Sequence, residues 1–445
     1  MSLATSTTTT LKPVDNKQLA KAGAGFFWLS AFYLVYCARP EDWIHPLAII
    51  PMAKITGIGA FLAFLFSAKS GQRKFRDLPP EAHYLLAFVV TLLIASLTSP
   101  IWKGGSTSRT LDFSKVWVAW ALTFFLVTDI PKLRRIIFIQ AFSVPIICTY
   151  AILKGHSIPR LDGVLGGIYS NPNDLAFAIV LSFPFCFMFL LTGKGIRKLF
   201  WIAGMLAMAG ALVLTASRGG FVTLLVTGIV GLWHFGVKGR RFYLIAITGL
   251  VAVVLLGVAG GPLKARFATI FTEEADTKQQ SAALGSFEER KYLMERAIDG
   301  WEHYPIFGMG TRNFEVYSLN WHEVHMTYLE VAVESGLVGL FFYLAFFARG
   351  FRNLRALLKR KDLSVEIQLI TGALHSSLIG FVVGALFSPE AYQFFPFFSV
   401  GYTSALYAIV KRNDSLAASS SPPAPLTSWK SARFPVSVEQ APVGR

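Results

Sequence analysis

The chain has 445 residues, 53% of them hydrophobic and only 15% charged, where a soluble domain carries about 25% charged residues. That excludes an ordinary soluble enzyme. The formal net charge of +16 would suit a nucleic-acid binder, but the basic residues sit mainly in short loops between apolar stretches, where topology determinants lie, and nucleic acid is set aside as a partner. Cys37, Cys148 and Cys186 lie in or beside apolar segments and match neither a CxxC nor a zinc spacing.

In chain order, residues 1–21 are polar and read as a cytoplasmic N-terminal tail, with the first helix acting as an uncleaved signal anchor. Twelve apolar segments follow: 22–38, 45–68, 83–99, 113–128, 135–153, 172–192, 197–216, 219–236, 242–260, 326–348, 369–388 and 393–410. A bilayer-spanning helix needs about 20 such residues. The segments therefore predict an all-α, polytopic membrane protein with about twelve transmembrane helices. Nine fall within 22–260 and three within 326–410, with one long helix-containing periplasmic loop at 261–325 between them. Residues 411–445, rich in Ser, Pro and Ala, read as a disordered cytoplasmic tail.

Charge supports this count. Twelve spans put both termini on one side, and every internal loop then assigned to that side is basic. These loops carry Lys69, Arg73, Lys74 and Arg76; Lys132, Arg134 and Arg135; Lys194, Arg197 and Lys198; Lys238, Arg240 and Arg241; and a cluster from Arg349 to Lys361. The short loops of the other side hold one or two basic residues each, or none. The alternation follows the positive-inside rule, and a missed span would reverse every later loop.

Candidate functional residues cluster near the predicted outer boundary. Arg218, in LTASRGGFV, stands at a turn between two apolar helices. An arginine there is either a functional cation or a snorkelling interfacial residue. Gly219 and Gly220 are read as letting the backbone turn sharply and a ligand approach. His322 and His325 sit where the long loop enters a membrane helix. Glu330 and Glu334 follow on that helix, four apart and so on one face. The HEVH spacing is not HExxH and no third ligand is evident, so no metal site is assigned. In RLDGVLGGIYSNPND, Arg160, Asn171 and Asn173 precede a membrane helix, with Asn173 the expected N-cap. These residues suit a sugar- or phosphate-facing loop, or simply a helix start. Arg290 belongs to an amphipathic stretch and, taken alone, reads as a surface arginine.

Together these segments resemble the O-antigen ligase/polymerase superfamily, whose shared region is the Wzy_C domain, over about residues 160–345. The loop with Arg160 and Asn171-Pro172-Asn173 is similar to the family's loop before a mid-chain helix. Ser217-Arg218-Gly219 matches its Ser-Arg pair. Arg290, Ala297, His303-Tyr304-Pro305, Gly308, Gly310 and Phe314 follow its loop pattern, and HMTYLEVAVESGLVG resembles its histidine-led helix. One departure is Met326, where the family usually has Asn after the histidine.

The resemblance implies a multi-pass enzyme of the bacterial inner membrane. It would move a glycan from an undecaprenyl-diphosphate carrier to an acceptor hydroxyl, on the lipid A core or a similar acceptor, by an inverting route with no metal or other cofactor. It implies His325 as base, Arg218 and Arg290 as clamps on the diphosphate, and Arg160, Asn171, Asn173, His322 and Glu330 as substrate-binding residues. Membrane lipids are the remaining partner. Alternatives are a polysaccharide polymerase, a protein O-glycan ligase and, in another class, a transporter. A transporter calls for inverted repeats and broken helices near the midplane. No clear internal repeat is visible, and the candidate residues cluster at the outer surface.

The topology is checked with reporter fusions. Fusions after residues 70, 195 and 355 are expected to report cytoplasm and one at 280 periplasm. A periplasmic signal at 195 would overturn the model.

Overall fold

In the computed structural model, the structure describes residues 16–67, 73–155, 161, 169, 171–258 and 278–420. Among these the regular structure is helical. In chain order come α1 (Asn16–Ala38), α2 (Met52–Ser67), α3 (Pro80–Thr98), α4 (Lys103–Leu126), α5 (Ile130–Gly155) and α6 (Pro172–Thr192). They are followed by α7 (Ile196–Thr215), α8 (Arg218–Leu232, continued by a π turn Trp233–Val237) and α9 (Tyr243–Val258). The last four are α10 (Lys278–His303), α11 (Thr327–Leu358), α12 (Val365–Gly384) and α13 (Phe394–Ser420).

Seven described helices are long and apolar enough to cross a membrane: α3, α5, α6, α7, α8 with its π turn, α11 and α12; the apolar stretches of α1 and α2 are shorter. The protein is an all-α, polytopic membrane protein. Each of the twelve apolar segments falls largely on a helix, but the boundaries move. The segment at 45–68 becomes helical only at Met52, α11 runs ten residues past 348, and α13 runs through 411–420.

Phenylalanine holds the centre together. Phe394, Phe395, Phe397 and Phe398 of α13 pack against Tyr33 and Tyr36 of α1, Phe113 of α4, and Tyr343, Phe346 and Phe347 of α11. Such ring pairs add to the burial of area.

The ends of the bundle differ in charge. At one end Arg134 pairs with Glu366 at 2.8 Å, Arg360 with Asp414 at 2.5 Å, and Arg73 donates to the carbonyl of Ala405 at 3.5 Å. Contacts thus bring several of the separate basic segments to one end. There, Glu81 of α3 is buried, accepts from Asn353 of α11, and lies 3.9 Å from Arg349.

The opposite end is built around a break in α11. Gly336 has φ +65°, so the helix stops and restarts there. A broken helix leaves backbone groups without partners. The segment 305–310 supplies them: Met309 and Gly310 donate to the carbonyls of Val333 and Glu334 at 3.0 and 2.9 Å, and Leu337 and Val338 donate to those of Pro305 and Ile306 at 2.8 and 3.3 Å. Backbone meets backbone so closely that a Cβ at Gly336 would lie 2.1 Å from the Ile306 oxygen, and one at Gly308, φ +75°, 2.3 Å from the Glu334 carbonyl carbon. Further along, Thr311 bonds Thr110 at 2.7 Å and Asn313 donates to Ser99 at 2.7 Å, tying the same segment to α3 and α4.

Gly336→Ala is therefore expected to lower stability by about 2 kcal/mol or more, from left-handed strain plus overpacking. Gly249→Ala in α9, where a Cβ meets nothing within 4 Å, is expected to be neutral or slightly stabilising. Thermal unfolding in detergent compares them; equal melting temperatures would remove the break as a structural requirement.

Candidate functional site

The site end begins with two helix starts. Asn171, not Asn173, caps α6: its side chain accepts from the Asn173 N–H at 2.9 Å, and Pro172 occupies the first helical position, where it has no N–H to satisfy. Asn173, one residue further in, is thereby left to accept a hydrogen bond from the Ser217 hydroxyl at 2.9 Å. Ser217 in turn caps α8, accepting from the Gly220 N–H at 3.2 Å. The N-termini of α6 and α8 are thus joined by side chains 44 positions apart.

Arg218 is the first residue of α8 and is half-buried. The sharp turn before it is made by Ala216 in a left-handed conformation, φ 49°, and not by the two glycines. Gly219 and Gly220 serve packing instead: a Cβ on either would come 2.7 Å from Phe387 or Ala176.

A small cleft opens between these helix starts, lined by Asn173, Ser217, Gly219, Gly220, Arg290 and Ser388 over an apolar floor that includes Phe177 and Phe387. Arg290 arrives from the middle of α10. That helix buries Leu293 and Ala297 against Met309, Phe314, Val324 and Val333, which fixes its rotation.

His325 lies on the segment leading into α11, its Nδ1 3.2 Å from the Glu323 carbonyl. Burial first, then the positive charge of Arg290, push its pKa down from 6.5 to about 4. The ring is therefore neutral near pH 7 but a weaker base than a free imidazole; a bound anion that offset the charge of Arg290 would raise its basicity. Arg290 links the two halves of the site, lining the pocket beside Ser217 and Gly219 and acting electrostatically on His325.

The remaining predicted residues are placed differently. His322 is exposed, with Nδ1 3.6 Å from Glu289. Glu330 is buried and accepts from the Ala391 N–H at 3.3 Å, while Glu334 accepts from the Tyr392 hydroxyl at 2.6 Å. The two glutamates share a face, as their spacing predicts, and both meet the turn between α12 and α13. Arg160 lies outside the described residues.

Sequence reasoning missed a carboxylate group around Arg312. This arginine pairs with Glu323 at 2.6 Å and Glu315 at 3.1 Å, and Arg109 of α4 donates to its carbonyl at 3.1 Å. Burial opposes the charge of Arg312, but the nearby carboxylates, Glu323 foremost, outweigh it and hold the guanidinium protonated. Burial raises the pKa of Glu323, against the pull of Arg312. It also raises that of Glu390, assisted by the charge of Asp174. The sequence does carry a signal for Glu390, an acid inside the apolar run ALFSPEAYQFF; Arg312 and Glu323 stand in a charged loop and do not stand out.

Residues 203–344 match the family model Wzy_C, O-antigen ligase. This stretch resembles the Wzy_C domain. No curated protein matches the chain. The matched stretch contains Arg218, Arg290, His322, His325 and Glu330, whereas Asn171 and Asn173 lie before it and Asn173 joins it through the bond to Ser217. It supports a membrane glycan-processing enzyme of ligase or polymerase type.

The depressed His325 value has a consequence for stability. The unfolded chain takes up a proton near pH 6.5, while the fold resists it down to about 4. This contribution is therefore complete above pH 6.5 and is lost as pH falls through that window. Glu323 and Glu390, with raised values, act in the opposite sense, so the comparison is between the wild type and His325→Gln. The variant is expected to show a shallower loss on acidification, by an amount on the order of 2 kcal/mol once solvent screening of a half-buried ring is allowed for. Thermal unfolding in detergent from pH 7 to 4 measures it; identical pH slopes would show that His325 titrates normally.

Proposed function

We propose that this protein transfers a glycan from an undecaprenyl-diphosphate carrier to an acceptor hydroxyl, on a lipid A core or a similar acceptor, at the periplasmic face of the bacterial inner membrane. The observation that carries the reading is the convergence of two helix N-termini and Arg290 on one pocket, with Arg218 in the first turn of α8. Helix N-termini and guanidinium groups both favour anions, and a diphosphate is the leaving group of this reaction.

In this proposal the acceptor hydroxyl gives its proton to neutral His325 as its oxygen attacks the anomeric carbon. The bond from that carbon to the diphosphate oxygen breaks, the configuration inverts, and the diphosphate leaves with the bonding electron pair. Arg218, Arg290 and the two helix ends offset the charge developing on it. His325 then returns its proton to solvent. The positive charge that a divalent ion would supply is present in the protein, so the reaction is proposed to need no metal. Asn171 and Asn173 would shape the donor pocket, with His322 and Glu330 at its margin and Arg160 in the loop before α6. Polymerase and protein-ligase readings use the same site and differ only in the acceptor.

The test is purified protein with undecaprenyl-diphosphate glycan and candidate acceptors. Arg218→Lys is expected to lose about tenfold or more of its transfer rate, because an ammonium cannot reproduce a planar two-point grip. His325→Ala is expected to abolish transfer with donor binding largely kept, since a base contributes mainly in the transition state. EDTA is expected to change nothing. Full activity in His325→Ala removes the proposed base, and transport without any covalent glycan product removes the enzyme reading. Glycosylated lipid A core marks a ligase, and a longer lipid-linked chain a polymerase.

A further inference from the structure

One face of α10 grips the segment that leads to His325. Glu289, Tyr292 and Arg296 lie within about 60° of one another around the helix. The Arg296 guanidinium donates to the Tyr317 carbonyl at 3.2 Å, and the Tyr292 hydroxyl donates to the Ser318 carbonyl at 3.0 Å. Glu289 takes the next position. Its carboxylate accepts from the Asn320 side-chain amide at 3.2 Å, and the His322 ring stands 3.6 Å from it. The grip thus runs back along α10, from Arg296 to Glu289, as the segment runs forward from Tyr317 to Asn320.

Asn320 is where holding is needed most. It stands between Leu319 at φ 60° and Trp321 at φ 55°, two non-glycine residues in the left-handed conformation. Such a conformation persists only where surrounding contacts over-determine it. The side chains of Leu319 and Trp321 are 80% and 70% exposed, so packing of their own does little to hold them. Locally, the Leu319 N–H donates to the Val316 carbonyl and the Trp321 N–H to the Glu315 carbonyl, both at 3.2 Å. The Asn320 side chain is the contact that carries this strained stretch across to α10. Five residues further on the segment carries His325, and the residue after Glu289 is Arg290, which lines the cleft. Neighbouring residues of one helical turn thus hold the histidine-bearing segment and the guanidinium of the cleft.

We propose that Glu289 is a positioning residue for His325: by holding Asn320 it keeps the strained segment docked on α10, and so keeps the imidazole in register with the guanidinium of Arg290. The consequence for a reaction rests on the transfer proposed above, in which His325 is the base; the holding contact itself does not. Glu289 acts through Asn320 and needs no contact with the reacting atoms. Its charge also opposes that of Arg290 at the ring. A glutamine at this position can still accept from Asn320, whereas an alanine cannot, so the two substitutions separate the hydrogen bond from the charge.

The test is modification of the full chain in detergent at pH 7 with diethyl pyrocarbonate, read at His325 by peptide mass spectrometry, with the exposed His303 as internal standard. Glu289→Ala is expected to raise the rate at His325 at least about fivefold, because a hydrogen bond to a charged group no longer closes the segment. Glu289→Gln is expected to stay within about twofold of the wild type. Asn320→Ala should match Glu289→Ala, and the double variant should add nothing to either, as partners in one contact do. An unchanged rate in Glu289→Ala overturns the proposal, and so do additive effects in the double variant or a glutamine variant as reactive as the alanine one. Equal melting temperatures separate release of the segment from loss of the fold. Labelling needs no turnover, so it decides the contact by itself; wild-type protein without transfer would remove the proposed reaction and leave this result standing. Where transfer is measured, Glu289→Ala is expected to lower kcat about tenfold with KM for the donor within about twofold, and Glu289→Gln to restore most of kcat. A change in KM alone overturns the positioning role.

Discussion

The site end depends on the reciprocal docking of Gly336 and Gly308. Breaking α11 at Gly336 sacrifices intrahelical hydrogen bonds inside a helix long and apolar enough to cross a membrane, where lipid offers no alternatives. The segment 305–310 replaces them one by one, through four backbone bonds around the break. Both glycines are required for the same reason: no side chain fits where two backbones touch, and both have positive φ. Once this segment is fixed, its continuation is fixed too. Asn313 and Thr311 reach α3 and α4, Phe314 completes the core under α10, and α10 delivers Arg290 to the pocket.

The second constraint is electrostatic. Glu323, Glu330, Glu334 and Glu390 lie wholly or largely out of water near a membrane boundary, where an unpaired carboxylate is costly. Arg312 faces the first three, Ala391 and Tyr392 donate to Glu330 and Glu334, and Ser388 donates to Glu390. This network pins the segment 318–326 from below. Leu319 and Trp321 hold positive φ there without being glycine, a strain that only surrounding contacts sustain. The segment carries His325, so ion pairs distant from the ring position it.

Much of this was legible in the sequence. Long apolar runs fix helices because nothing else satisfies a backbone in lipid. The spacing of Glu330 and Glu334 puts them on one face, as observed. Local detail was less legible. Asn171 and Asn173 are equally good caps by residue type, and only the position of Pro172 at the first helical turn decides between them. Gly219 and Gly220 suggested a flexible turn, yet left-handed geometry fell to Ala216 while the glycines admit Phe387 and Ala176. Arg312 and Glu323 were hidden because their partners are distant in sequence. A pair eleven positions apart across a non-helical loop follows no periodicity.

A broken membrane helix is also what a carrier uses to hold its cargo, so the break at Gly336 bears on the choice between enzyme and transporter. In a carrier, freed carbonyls and N-termini near the midplane remain open to the ion or solute. Here the freed groups of α11 are taken by the protein itself: the carbonyls of Val333 and Glu334 accept from Met309 and Gly310, and the amides of Leu337 and Val338 are bonded to Pro305 and Ile306. The apolar part of α11 between the break and Arg349, Leu337 to Ala348, is only about 18 Å long, so the occupied bonds and not the depth of the break bear on the choice. The starts of α6 and α8 meet Arg290 at one pocket, and their caps are joined to each other through Asn173 and Ser217. That arrangement suits the membrane glycan-processing enzyme that the Wzy_C match supports, because the break then shapes the protein and does not hold a cargo.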